Sequence, residues 1–304
     1  MGGGAMKAAY KILFGVAWLL SWLPLWLMRW FGRLTGRLVF TLDRRHRQIM
    51  LDNLALSFPG KSPAELRKLA LSCLRHICSA FFEMPRLVRY SPAQAAAMVR
   101  VHGKERLDRA QARGRGVILL TGHIGNWEWM NAASIAIINS PALVVARPID
   151  WPPADRLVNY WRCKDGSRIV AKDSSARSLL RELRAGGYIA LLLDQNVDWY
   201  DGEWVDFFGR PACSNKGAAL LAMKTKAAVV PVWCARGPDG KFDIFVGEEL
   251  PLVDTGHKTQ DVWDNTQNYQ RALEDIIRQR PEQWFWLHQR WKTKPYHPWP
   301  REKR

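Results

Sequence analysis

The sequence predicts an α/β fold: a sheet covered by helices, with a hydrophobic membrane-anchor helix at the N-terminus. Three observations carry this prediction. After about residue 112, short apolar runs rich in Val, Ile and Leu recur along the chain. Helical stretches separate them, which is the pattern of strands buried on both faces. The first forty residues hold a long segment without charge, Ile12–Met28, flanked by Lys7 and Lys11 on one side and Arg29, Arg33, Arg37, Arg44, Arg45 and Arg47 on the other.

Taken in order, the uncharged segment is seventeen residues long, the lower limit for crossing a hydrocarbon core. Pro24 falls inside it and would kink a helix, so a short tilted span and a hairpin-like interfacial anchor both fit, and a core helix of a soluble protein is the plain alternative. A signal peptide is disfavoured, because no small-x-small site follows. The basic flank after the segment places the bulk of the chain in the cytoplasm. Residues 1–40 are therefore read as the anchor and 41–304 as a cytoplasmic domain, helical to about 112 and α/β beyond. In the helical part, Arg47–Ser57 has helical periodicity, Ser62 opens a capping pattern with Glu65, and Ala70–Phe82 is amphipathic. The predicted strands are Val117–Leu120, Leu143–Ala146, Tyr188–Leu193, Val229–Cys234 and Phe242–Val246, with helices over Ala176–Arg184 and Lys216–Lys226.

Composition narrows the function. The chain of 304 residues carries a formal charge of +17 and is 48% hydrophobic, which excludes a disordered polyelectrolyte and predicts an acidic partner: nucleic acid, an anionic bilayer or an acidic carrier protein. Sixteen Trp, four of them at Trp18, Trp22, Trp26 and Trp30, favour the membrane interface over nucleic acid. No nucleic-acid-binding motif is present. The five cysteines (Cys73, Cys78, Cys163, Cys213, Cys234) are odd in number and lack CxxC spacing, so buried thiols in a reducing compartment are expected, with no disulfide framework and no metal site.

The chemistry concentrates around His123 and Glu128, an HxxxxE pair on the loop leaving the first strand. A neutral imidazole can take a proton from a hydroxyl while a carboxylate holds its tautomer. Gly122 and Gly125 remove side chains beside it, which predicts close approach by a bulky substrate. Arg147, following the second strand, is a candidate for an anionic group because its planar fork binds phosphate bidentately. Asp194 and Gln195 end a very apolar strand and are candidates to position the acceptor or Arg147. Asn126 and the amides near Gly125 are candidate oxyanion donors. No G-x-S-x-G elbow is present. Near the C-terminus, Trp284, Trp286, Trp291 and Trp299 with His288, Arg290, Lys292 and Lys294 read either as a membrane-surface, phosphate-binding face or as a core helix. His288 has no ligand-type partner at metal-binding spacing.

These motifs resemble one family. Gly122-His-Ile-Gly-Asn-Trp-Glu128 is similar to the GHxGNWE signature of the lipid A biosynthesis acyltransferases (the lauroyl/myristoyl transferases), a branch of the glycerolipid acyltransferase superfamily. Arg47-x5-Asn53-Leu54 with Ser57-Phe58-Pro59, Arg147-Pro148, Asp194-Gln195, Phe207-Phe-Gly-Arg-Pro-Ala212 with Lys216-Gly217, and Pro281-Glu-Gln-Trp-Phe-Trp-Leu-His-Gln-Arg-Trp-Lys292 agree with further family segments, departing at Gln289 where Arg is usual. The resemblance spans nearly the whole chain. It implies a glycerolipid-acyltransferase-like sheet and transfer of a fatty acyl group from an acyl carrier protein thioester to a hydroxyl of a lipid A precursor, at the cytoplasmic face of the inner membrane. His123 would be the base and Glu128 its orienter, and no cofactor is needed beyond the acyl donor. Two other readings stand beside it: an acyltransferase for another phospholipid or glycolipid acceptor with acyl-CoA as donor, and a non-catalytic basic protein that binds membrane surfaces.

Overall fold

The structure, a computed structural model, describes residues 3–138, 140–171 and 175–294. Its N-terminal part is helical: α1 (Gly3–Leu20), α2 (Leu25–Leu42), α3 (Arg44–Ser57), α4 (Pro63–Glu83), and the short α5 (Arg86–Arg89) and α6 (Pro92–Ala96). Then follow β1 (Val99–His102), α7 (Lys104–Gln111), β2 (Val117–Thr121), α8 (Trp127–Ala132), β3 (Ala142–Ala146), α9 (Pro152–Arg162), β4 (Arg168–Ala171), α10 (Ser175–Arg184) and β5 (Tyr188–Leu192). A hairpin of β6 (Gly202–Phe207) and β7 (Arg210–Asn215) leads into α11 (Gly217–Thr225), β8 (Ala228–Arg236), β9 (Phe242–Val246) and α12 (Lys258–Gln279).

Seven strands form one sheet in the order β1-β9-β8-β2-β5-β3-β4. The pairs from β8 to β4 are parallel, and the antiparallel pair β8–β9 turns the edge. Successive residues of β2 serve opposite faces. Ile118 and Leu120 join the core shared with α4, α10, α11 and α12, while Val117 and Leu119 join the core shared with α1, α7, α8 and α9. That period of two explains why a continuous apolar run is needed here. All five predicted strands are present, and the predicted capping box at Ser62 and Glu65 is formed in both directions.

The N-terminal segment corrects the expectation of one anchor helix. Pro24 caps α2, and α1 and α2 meet there at a bend of 114°. Among the described residues no single helix is long and apolar enough to cross a membrane, though the bent pair together has the length and composition for it. Glycines explain how α2 lies on α4: a Cβ at Gly36 would stand 2.6 Å from the Arg75 Cα, and one at Gly32 would overlap the Ser79 backbone. Met28, Gly32, Gly36 and Phe40 face inward. Trp22, Trp26, Trp30, Leu34 and Leu38 stay exposed.

The C-terminal aromatic stretch is also different from expectation. It is not a helix: after a 3-10 turn at Pro281–Gln283, Trp284 pairs with Ile124 as an isolated bridge and the chain runs on as a strap. Trp284, Trp286 and Arg290 are fully buried, whereas Gln289, the position that departs from the family pattern, is exposed. Trp299 lies outside the described residues.

Candidate active site

The parallel register of β2 and β5, with Thr121 opposite Leu192, delivers the chain leaving both strands to the same sheet edge. His123 leaves one strand and Asp194 and Gln195 leave the other, at the edge where α/β sheets bind ligands. The His123 Nδ1 lies 2.9 Å from Asp194 Oδ1, and the His123 amide donates to Asp194 Oδ2 at 2.9 Å. Trp284 from the strap donates its indole N–H to the same Oδ2 at 2.7 Å. Asp194 is thus fully buried with three donors. Burial alone would raise its pKa, but the adjacent His123, the His123 hydrogen bonds and His288 hold it well below the usual carboxylate range. A carboxylate at Nδ1 fixes the proton there and leaves the lone pair on Nε2.

Glu128 does not fill the place expected of it. It is the second residue of α8, whose N-cap is Asn126, and the helix carries its buried carboxylate to Arg162 at the end of α9. Arg162 Nε donates to it at 3.0 Å, Arg162 Nη2 donates to its other oxygen, and Trp161 Nε1 adds a third bond at 3.1 Å. Burial opposes the charge on Arg162, yet the bonds and charge of Glu128 win and raise its pKa. Asp194 therefore stands where Glu128 was expected, because strand pairing, not the five-residue spacing, brings a carboxylate to Nδ1.

Three further expectations are corrected. Gly122 and Gly125 do not clear a path for substrate. A Cβ at Gly122 would meet Asp194 Cγ at 3.0 Å, and Gly125, at φ +64°, lies against the Cys234 carbonyl, so both glycines let protein groups approach. Asn126 is fully buried, caps α8 through the Trp129 amide and donates to Glu83 at 3.3 Å, which turns it away from the site. The amide of Gly125 is likewise committed, to Gln283 O at 2.9 Å. Finally, His288 does have ligand-type neighbours in space: its ring, that of His123 and Asp194 bring three such atoms within 4.8 Å. Hydrogen bonds account for the group, since the Gln195 Nε2 lies 3.2 Å from His288 Nε2 and 3.4 Å from His123 Nε2. Burial lowers the His288 pKa to about 4 despite Asp194, so it is neutral and can accept from Gln195.

An apolar cavity of about 310 Å³ opens beside the dyad. Its walls include Met130, Ile138, Val144, Ala190 and Val232, and His123, Gln195, Glu128, Arg147 and Arg162 rim its polar part. The Arg147 side chain is 82% exposed, and among the described residues its one ion pair is with the equally exposed Asp150, at 3.1 Å. Arg162 and His288 were not legible as site residues: Arg162 ends an ordinary amphipathic helix, and His288 sits in a stretch that reads equally as core. A general base at the mouth of an apolar pocket, with guanidinium groups close by, can activate the hydroxyl of one amphiphile toward a thioester of another.

Comparison with known proteins decides the class. Residues 6–293 match the model of the bacterial lipid A biosynthesis acyltransferases. The chain belongs to this family. It is 27% identical over 285 residues to a lipid A biosynthesis lauroyltransferase of Escherichia coli, covering 92% of this chain and 90% of that one. It is 24% identical over 263 residues to the E. coli lipid A biosynthesis myristoyltransferase, covering 83% of this chain and 77% of the other. A phosphatidylinositol mannoside acyltransferase of Mycobacterium tuberculosis is 25% identical over 238 residues, 77% of this chain and 72% of the relative. Membership of the lipid A acyltransferase family makes the chain an acyltransferase and sets aside the reading of a non-catalytic surface binder.

Proposed function

We propose that the chain transfers a fatty acyl group from an acyl carrier protein thioester to a hydroxyl of a lipid A precursor, working at the cytoplasmic face of the inner membrane. The observation that carries this reading is the bond from buried Asp194 to the partly exposed His123 at the mouth of the apolar cavity. The acceptor O–H gives its proton to His123 Nε2 as its oxygen attacks the thioester carbonyl. The C–S bond then breaks, and the imidazolium returns the proton to the leaving thiolate. Asp194 orients the imidazole and stabilises its cation. Gln195, whose Nε2 lies 3.4 Å from the base, offers an N–H to the oxygen that becomes negative. The thioester is already activated, so neither a covalent acyl-enzyme nor a cofactor is required. The cavity takes the acyl chain, and Arg147 and Arg162 bind an anionic group of acceptor or donor. Glu128 acts by holding Arg162.

The charge of +17 suits an acidic carrier protein and an anionic membrane. Exposed Trp22, Trp26 and Trp30 on the bent helix pair suit the bilayer interface. Transfer from radiolabelled acyl carrier protein thioesters to a lipid A precursor tests the proposal, with His123→Ala expected to lose at least about 10²-fold. Full activity in that variant would remove the mechanism. Similarity to a phosphatidylinositol mannoside acyltransferase supports a second reading, another glycolipid acceptor or acyl-CoA as donor. Mass spectrometry of lipids from cells lacking the protein separates the two, since missing secondary acyl chains on lipid A favour the first.

A further inference from the structure

A second cavity, of about 200 Å³, shares no lining residue with the acyl pocket and is lined by Arg29, Arg33, Ser72, Arg75, His76, Ser79 and Arg236. Four guanidinium groups converge there from α2, α4 and the end of β8. One carboxylate, Glu83, answers them. Glu83 is fully buried and accepts from Arg29 Nε at 2.5 Å and from both terminal nitrogens of Arg236 at 2.6 Å. Burial would raise its pKa, but Arg236 and Arg29 outweigh that and keep it ionised. Arg29 is pinned further by donating to Gly240 O at 2.6 Å, and Arg236 lies over the Phe242 ring. Two of the arginines are therefore held in place with a single negative charge between them. Among the described residues, the side chains of Arg33 and Arg75 have no hydrogen bond or ion pair, and both residues are exposed at the cavity rim. His76 adds no charge of its own, since burial and Arg236 lower its pKa to about 4, and its Nε2 meets Gly125 O at 3.0 Å.

A small cavity with an excess of three positive charges, walled by planar forks, suits a phosphate group. Its position says which phosphate. Trp26 precedes Arg29 by three residues on α2, and Trp30 precedes Arg33 by three, so each indole neighbours a cavity arginine on the helix surface. Trp26 is 68% exposed and Trp30 53%, and exposed Phe31, Leu34 and Leu38 continue the apolar face away from the arginines. Indoles favour the depth of lipid headgroups, which puts the cavity at the level of lipid phosphates. We propose that this cavity binds the phosphate of a membrane lipid, separately from the acyl-transfer site. The inference rests on the interfacial seating of α2 but not on the acyl-transfer chemistry.

The test is binding of the purified full chain to phosphatidylcholine vesicles containing phosphatidate, against vesicles given the same charge by oleate. Wild type is expected to bind the phosphatidate vesicles about tenfold more tightly, the scale of one charge-assisted hydrogen bond. Arg33→Gln with Arg75→Gln should abolish the preference, whereas Arg37→Gln with Arg45→Gln, the same charge removed from exposed positions outside the cavity, should keep it. Arg33→Lys with Arg75→Lys retains the charge and should also lose most of the preference. His123→Ala should retain it, which separates this inference from the fate of the catalytic reading. No preference in wild type, or equal loss in the two glutamine pairs, overturns the proposal. Binding of inorganic phosphate without vesicles, abolished by Arg33→Gln with Arg75→Gln and unaccompanied by a phosphatidate preference, would assign the cavity to a soluble phosphate instead.

Discussion

Replacing Asp194 by Asn separates the two carboxylates that compete for the role of orienter. Asp194 Oδ2 receives the His123 amide and the Trp284 indole, while Oδ1 receives His123 Nδ1. Asparagine has one acceptor oxygen and one NH2. With its oxygen at the Oδ2 position, both fixed donors stay satisfied, and the NH2 faces Nδ1. That nitrogen must then accept, so the ring proton moves to Nε2 and the base loses its lone pair. The opposite orientation keeps the productive tautomer but sets an NH2 against two buried donors, each costing about 1–3 kcal/mol when unpaired. The productive state is therefore depleted by about 30-fold to 10⁴-fold, the upper end comparable to the effect of the wrong tautomer in serine hydrolases. Steady-state transfer with labelled acyl donor should show kcat reduced by that factor with KM little changed, in a protein whose thermal melt confirms folding. Glu128→Gln leaves the imidazole tautomer untouched and should lower kcat far less. If Asp194→Asn kept activity within tenfold while Glu128→Gln lost it, the assignment of the orienter from the hydrogen bonds would be refuted.

Arg162→Lys keeps a charge opposite Glu128 but loses the fork, so KM for the anionic substrate should rise roughly tenfold, the value of one hydrogen bond to a charged group; a fall in kcat at constant KM would mean that Arg162 does not bind ground-state substrate. Acidification should destabilise the fold between pH 6.5 and about 4. His76 and His288 have native pKa values near 4 against 6.5 unfolded, so the unfolded chain binds more protons in that window and stability falls as pH drops, by up to roughly 3 kcal/mol for each histidine. Denaturant midpoints in His76→Gln with His288→Gln should flatten that slope, and an unchanged slope would contradict it. Gly36→Ala forces a Cβ against the Arg75 backbone and should cost about 1–3 kcal/mol; calorimetry showing no loss would mean that α2 does not rely on close approach to α4.

Four of the five strands are legible as continuous apolar runs with a neighbour on either side, and Phe242–Val246, interrupted by Asp243, is legible from the alternation that buries Phe242, Ile244 and Val246. The capping box at Ser62 and Glu65 was legible because its partners are three residues apart. Pro24 was recognised as a break, but no local rule sets the angle at which two apolar helices resume, which depends on Gly32 and Gly36 meeting α4. His123, Arg147, Asp194 and Gln195 come together in space because all four leave strand ends on one edge of the sheet. Glu128 is five residues from His123 in sequence, but α8 carries its carboxylate to Arg162, which spacing alone does not reveal. Arg162 and the strap were missed for the same reason. A charged residue at a helix end and a run of Trp and His carry no signal of what lies across the sheet.

The family segments far from His123 acquire a physical reason once the strap is in place. Asn53 on α3 donates to Trp286 O at 2.9 Å and to His288 O at 2.6 Å. Arg47 caps the end of α2 through Phe40 O and Thr41 O. Phe207 packs on Trp284 and Phe208 on Trp286, in a turn where Phe208 takes φ 55° and Gly209 φ 73°. Buried Arg290 reaches Cys213 O at 3.0 Å and Gln270 at 3.1 Å, with burial pulling its pKa down to about 10. These contacts fix two strap groups relative to the base: the Trp284 indole that holds Asp194, and the Phe285 amide that donates to His123 O at 3.1 Å. Preorganising a proton acceptor requires its partner carboxylate to be immobile before substrate arrives. The residues that immobilise it come from α3, the β6–β7 hairpin and the strap, so segments far apart in sequence converge on the position of one imidazole.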